Sequence, residues 1–95
     1  TMAIHSVFGG LPIAVSSTKG ATGHMMGAGG LAEVIACVKA VETGYLPACV
    51  GLTHQDPVCD LYLVGPNAPQ QDVSAALSNS MGFGGQNSCV IVGRA

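Results

Sequence analysis

From Gly27 to Gly44 the chain reads "GAGGLAEVIACVKAVETG", and no other stretch restricts its fold as much. The pattern predicts a helix from about Gly23 to Thr43, with Gly44 as a left-handed cap. Its apolar residues fall on nearly every side rather than in one stripe, so this helix is expected to be buried all round. Gly27, Gly29 and Gly30 lie in its first turns, each costing about 1 kcal/mol relative to alanine. Ala28, Ala32, Ala36 and Ala40 continue the run of small residues. Such a cost is tolerated where other backbone must come close. Glu33 inside the helix then needs a partner, because an unpaired buried carboxylate is expensive. Lys19 is the nearest cation in sequence.

A helix buried all round requires covering layers, and the composition bears on where they come from. Of the 95 residues, 48% are hydrophobic and 8% charged, against roughly 25% charged in an ordinary soluble domain. Such a chain is either embedded in a membrane or the interior of something larger. The best spanning candidate, Met25 to Val41, holds Glu33, Lys39 and three glycines, whereas a span needs about 20 predominantly apolar residues. No basic region followed by an apolar one opens the chain. The expectation is therefore a piece of a larger soluble protein, incomplete as a stand-alone domain, with "TMAIHSVFGG" as the tail of a helix.

With a net charge of −2 and Lys19, Lys39 and Arg94 as its only fixed cations, the chain has no basic stripe for nucleic acid. Cys37, Cys49, Cys59 and Cys89 show no CxxC spacing. They sit mostly in apolar runs and read as buried thiols in a reducing compartment, with no zinc site or disulfide expected.

The remaining pattern is α/β. Leu11 to Ser17 reads as a buried strand leading through a Gly/Thr-rich turn into the helix. Gly44 to Pro69 is irregular, with turn clusters around the short apolar "CDLYLV". Val73 to Ser80 and Ser88 to Arg94 read as strands joined by "MGFGGQN". Strand, helix and two closely spaced strands predict a mixed sheet with a buried helix.

At the strand-to-helix junction lies "SSTKGATGHMMGAGG", Ser16 to Gly30. It is no P-loop, since lysine precedes the glycines and is followed by Gly20. "GAGGLA" fits the dinucleotide fingerprint in letters, but Gly27 stands ten positions after Ser17, and the fingerprint belongs directly at the strand-to-helix turn. A third reading is catalytic. A histidine at a helix N-terminus feels the positive end of the dipole, which favours a neutral, hydrogen-bond-donating ring. Lys19 nearby acts in the same direction, and the two suit a carbonyl whose oxygen gains negative charge. Local sequence equally accommodates a capping His24 and a solvated Lys19.

Taken together, "SSTKGATGHMMGAGG" and "SNSMGFGGQNSCVIV", with "YLPA" and "CDLYLV" between them, resemble the C-terminal part of the β-ketoacyl-acyl carrier protein synthases, the elongating condensing enzymes of fatty acid and polyketide synthesis. The match is strong over Ser16 to Pro47 and Leu77 to Val92. Thiolases share the fold, but usually carry proline after the histidine, where Met25 stands here. The resemblance implies a thiolase-like fold and decarboxylative Claisen condensation of an acyl thioester with malonyl-acyl carrier protein. It casts His24 as donor to the malonyl thioester carbonyl, Lys19 as organiser of the polar site and Glu33 as the acidic residue supporting that lysine. Phe83 becomes the gate between acyl pocket and malonyl site, with its N–H as an oxyanion donor. Asn79, Gly82, Gly84 and Gly85 become supporting residues, the three glycines being expected to give the loop positive φ and mobility. The same loop also reads as a glycine-rich hairpin with Phe83 as a core plug.

No cofactor is implied beyond the phosphopantetheine of acyl carrier protein. The partners implied are that carrier protein, the remainder of the synthase chain and a second copy in a homodimer. The compartment implied is the cytoplasm, or an organelle of fatty acid synthesis. The family's nucleophilic cysteine and its second histidine have no counterpart in residues 1–95, so the segment by itself is expected to be inactive. Gln86 stands where threonine is commoner in the family. Three other readings remain: a non-condensing relative such as a chain-length factor, a small nucleotide-binding module, and a structural fragment with no ligand.

Overall fold

The computed structural model describes residues 1–95. Helix α1 spans Met2–Phe8, strand β1 Ala14–Val15, the single-turn helix α2 Lys19–Thr22 and the long helix α3 Gly29–Thr43. Strands β2 (Tyr62–Leu63), β3 (Ala75–Met81) and β4 (Asn87–Gly93) follow. β1 pairs with β2 in parallel, Ala14 against Tyr62 and Val15 against Leu63. β3 and β4 form a separate antiparallel hairpin, in register from Ala75 against Gly93 to Met81 against Asn87. The architecture is mixed α/β, with α3 packed on the β3–β4 hairpin.

α3 is shorter at its start than the sequence pattern predicts. Gly23 lies at φ 75°, ψ 171°, a combination no helix contains, and Met26 is at φ 50°. The chain first completes α2, then passes through the His24 turn and a 3-10 turn at Met26–Ala28. The other end matches expectation: Gly44 sits at φ 75°, ψ 0°, and its N–H donates to the Ala40 carbonyl at 2.8 Å.

Burial departs further from the pattern. Only Ala40, Val41 and Val64 form a buried apolar core, and 6 of 95 residues are buried in all. Leu31 and Ile35 of α3 are 68% and 53% exposed. The accessible surface is 6787 Å², against about 5000 Å² for a folded monomer of this mass. The helix is thus covered on the hairpin side and bare along the stripe of Leu31, Ile35, Lys39 and Glu42, because residues 1–95 supply one layer against it. Close backbone approach explains only part of its glycine content. A Cβ at Gly30 would lie 3.3 Å from Ser80 Oγ, whereas one at Gly27 or Gly29 would meet nothing within 4 Å.

The strand expected over Leu11–Ser17 pairs only at Ala14–Val15 and is half-buried. Its partner contributes two residues to the ladder, and backbone beyond them has no strand to bond. β3 shows the period-2 alternation of a sheet with one covered face, Ala76, Ser78 and Ser80 turned inward.

Candidate active site

Of the residues singled out in the sequence, the structure brings Lys19 and Glu33 into contact, while His24, Asn79 and Phe83 stand apart from them. Lys19 opens α2 and Glu33 lies one turn into α3, and the structure joins them as an ion pair between Lys19 Nζ and Glu33 Oε1. The Glu33 side chain is 18% exposed and that of Lys19 42%, so the partner demanded by a carboxylate on this helix is present. The second carboxylate oxygen, Oε2, accepts long hydrogen bonds from Ser78 Oγ (3.4 Å) and Ser80 Oγ (3.5 Å) of β3. One carboxylate therefore ties together α2, α3 and the hairpin.

Sequence reasoning did not assign the two serines. Their signal was the alternation in "AALSNSM", which puts both on one face of a strand. Asn79 falls between them and points to the opposite, exposed face, opposite Cys89 in register.

His24 stands in the turn between α2 and the 3-10 turn, and not at the N-terminus of α3, which begins five residues later at Gly29. The positive end of the α3 dipole therefore does not act on His24 directly. A single backbone group replaces it: the Met26 N–H donates to His24 Nδ1 at 3.0 Å. An N–H can only donate, so Nδ1 is the acceptor and the neutral ring carries its proton on Nε2. The positive φ of Met26 belongs to the tight turn that makes this bond. No hydrogen bond or ion pair joins His24 to Lys19, Glu33 or Phe83.

Phe83 heads the glycine-rich turn after β3 and is fully exposed. Within residues 1–95 it plugs no core. Gly84 (φ 77°) and Gly85 (φ 76°) adopt the left-handed backbone expected of them, but Gly82 does not, at φ −103°, ψ 168°. Gly82 serves the turn differently: its N–H donates to the Gln86 carbonyl at 2.7 Å, and a Cβ there would lie 3.2 Å from that same oxygen.

The cysteines are not buried as the sequence predicts: Cys37, Cys49 and Cys59 are half-buried and Cys89 is exposed, because one layer alone covers these segments. Burial, and then the Glu33 carboxylate one turn earlier, push the Cys37 thiol up, which disfavours the nucleophilic thiolate. No three histidine, cysteine, aspartate or glutamate side chains are grouped to hold a metal ion. No helix is long and apolar enough to cross a membrane. The dinucleotide fingerprint lacks its geometry, since β1 ends at Val15 while Gly27 follows only after α2 and the His24 turn.

Comparison with known proteins agrees with the motifs. The family model described as Beta-ketoacyl synthase, C-terminal domain, matches residues 1–53. The chain is 44% identical over 91 residues to the chloroplastic 3-oxoacyl-[acyl-carrier-protein] synthase II of Arabidopsis thaliana, covering 94% of this chain and 17% of that protein. It is 39% identical over 94 residues to 3-oxoacyl-[acyl-carrier-protein] synthase 2 of Coxiella burnetii, covering 97% and 23%. Nodulation protein E of Rhizobium leguminosarum bv. trifolii is 40% identical over 89 residues, covering 92% and 22%. The chain thus spans about a fifth of the length of these relatives. With its mixed α/β architecture and both motifs in order, the chain belongs to the β-ketoacyl synthase family, in the part formed by that family's C-terminal domain.

Proposed function

We propose that this chain forms the malonyl-activating part of a β-ketoacyl-acyl carrier protein synthase, a condensing acyltransferase of fatty acid synthesis. The observation that carries the reading is the Met26 N–H on His24 Nδ1. It leaves Nε2–H as the donor of the neutral ring, the form needed to bind a thioester carbonyl oxygen as it becomes an enolate. Decarboxylation breaks the bond between the malonyl α-carbon and its carboxylate. Carbon dioxide leaves, and the electron pair enters the enolate whose oxygen His24 stabilises. The α-carbon then attacks an acyl thioester, forming the new carbon–carbon bond and releasing the thiol that held the acyl group.

That thiol belongs to a cysteine elsewhere in the synthase. Lys19, held by Glu33, supplies positive charge to the same polar site. Phe83 on its glycine turn gates malonyl access, with its N–H as oxyanion donor; Gly82, Gly84 and Gly85 shape that loop, and Asn79 supports the site from β3. Acyl carrier protein delivers both thioesters on its phosphopantetheine. The remainder of the synthase covers the bare side of α3, and the whole works as a homodimer. Its compartment is that of fatty acid synthesis, bacterial cytoplasm or organelle.

The test is His24→Ala in the full-length synthase, measuring labelled acyl-enzyme and released carbon dioxide separately. Loss of carbon dioxide release with acyl-enzyme retained supports the role, since acylation needs only the nucleophile and oxyanion donors. Equal loss of both removes His24 from it. A wild-type protein that never forms acyl-enzyme would be a chain-length factor instead.

A further inference from the structure

The chain on either side of Lys19 meets a segment with no role so far, Pro47 to Leu52. On one side of Lys19 the Ser16 hydroxyl donates to the Pro47 carbonyl. On the other, Gly20 lies directly against the Val50 carbonyl: a Cβ at position 20 would overlap that oxygen and lie 3.0 Å from its carbon. Gly20 has no positive φ, so space and not torsion demands glycine there. The Val50 carbonyl is itself held. The Leu52 N–H donates to the Cys49 carbonyl at 3.2 Å, Gly51 has φ 87° and Val50 has no positive φ. These features define a type II turn, whose central peptide is flipped relative to type I. The turn is anchored to the parallel sheet, with the Cys49 N–H donating to Val64 O at 2.9 Å and the Val64 N–H to Val15 O at 2.9 Å.

We infer that Gly20 and the type II turn at Cys49–Leu52 are a positioning pair for Lys19: the flipped Val50 carbonyl is the stop against which α2 rests, and Gly20 lets α2 come close enough for the ammonium to reach Glu33. Any side chain at position 20 lifts α2 away from Glu33. An alanine at position 51 favours the type I turn, which rotates the Val50 carbonyl out from under α2 and makes room for that side chain. The two glycines are therefore coupled, although they lie in different segments and neither touches substrate.

The test uses Gly20→Ala, Gly51→Ala and the double variant in the full-length protein, with Glu33→Gln as reference. The first readout is the rate at which an amine-reactive reagent labels Lys19 relative to Lys39, by peptide mapping. Gly20→Ala should raise this ratio several-fold, to the level of Glu33→Gln, and the double variant should bring it back towards wild type. The second readout rests on the proposed synthase function: Gly20→Ala should slow malonyl decarboxylation by about 100-fold, the effect of a displacement of about 1 Å, while acyl-cysteine formation is unchanged. A wild-type protein that does not decarboxylate malonyl thioester removes that function and leaves the labelling readout intact. An unchanged ratio in Gly20→Ala overturns the pair, as does a double variant whose loss is the product of the singles. If Gly20→Ala alone yields no folded protein, the double variant decides: a folded product with the wild-type ratio supports the pair, and a second failure overturns it.

Discussion

Glu33 and Lys19, 14 residues apart in sequence, form an ion pair in which the carboxylate is the more sheltered partner. Exposed pairs contribute under about 1 kcal/mol, while breaking a fully buried one costs about 3–5 kcal/mol. This pair lies between, so Glu33→Ala should cost about 1–2 kcal/mol in urea denaturation. Lys19→Met should cost less, and the double variant less than the sum. Strict additivity would show that the two groups are neighbours without being coupled.

Phe83→Ala should leave the stability of this chain within about 0.5 kcal/mol of wild type, because the ring is fully exposed. A core phenylalanine would cost about 3–5 kcal/mol. On the proposed function, the expected effect in the full-length protein is kinetic, a rise in malonyl decarboxylation without acyl primer. A collapse of the full-length protein's denaturation midpoint with no such rise would identify Phe83 as packing against another part of the synthase.

Gly44→Ala should destabilise by more than about 1 kcal/mol. Alanine is strained at φ 75°, and its Cβ would also overlap the Gln71 carbonyl oxygen. That displaces the strand-ward chain whose Gln71 N–H donates to Gly44 O at 3.0 Å. A melting temperature equal to wild type would contradict the αL assignment.

His5 Nε2 meets Asp60 Oδ1 at 2.8 Å, fastening α1 to the loop before β2. The Asp60 hydrogen bond, and then the Gly9 carbonyl on Nδ1, raise the His5 pKa above its ordinary 6.5. The His5 hydrogen bond lowers that of Asp60 below its ordinary 3.8. A raised histidine stabilises fully below its unfolded pKa and loses this as pH rises through the folded one. A depressed aspartate stabilises above its unfolded pKa and loses this as pH falls through the folded one. The stability difference between wild type and Asp60→Asn should thus be greatest from about pH 4 to 6.5 and fade on either side. A difference that stays constant to pH 9 would show that imidazolium is not involved.

Much of this was legible in the sequence because it was local. Gly44 as cap, the hairpin around "MGFGGQN" and the need of Glu33 for a cation follow from residue types at fixed spacings. What escaped depended on partners far along the chain. The extent of β1 is set by two residues of β2, the start of α3 by the turn around His24, and the need for glycine at position 20 by a carbonyl at position 50. The bare flank of Leu31 and Ile35 was implied by the low charge, yet which side would be bare depended on where the hairpin packs.

The parallel pairing of Ala14 with Tyr62 encloses α2, α3 and the loops on either side, whereas β3 and β4 close over the short turn from Gly82 to Gln86. Bringing distant ends together costs chain entropy before any bond repays it, so folding is slowed by long-range pairing far more than by hairpins. The most buried side chain, Val64, thus belongs to a late event, and Val50 reaches its place under α2 no earlier. In pulsed hydrogen exchange during refolding, the amides of β3 and β4 should gain protection before that of Val64. The segment from Lys19 to His24, enclosed by that pairing, would then take its final place after the hairpin has formed.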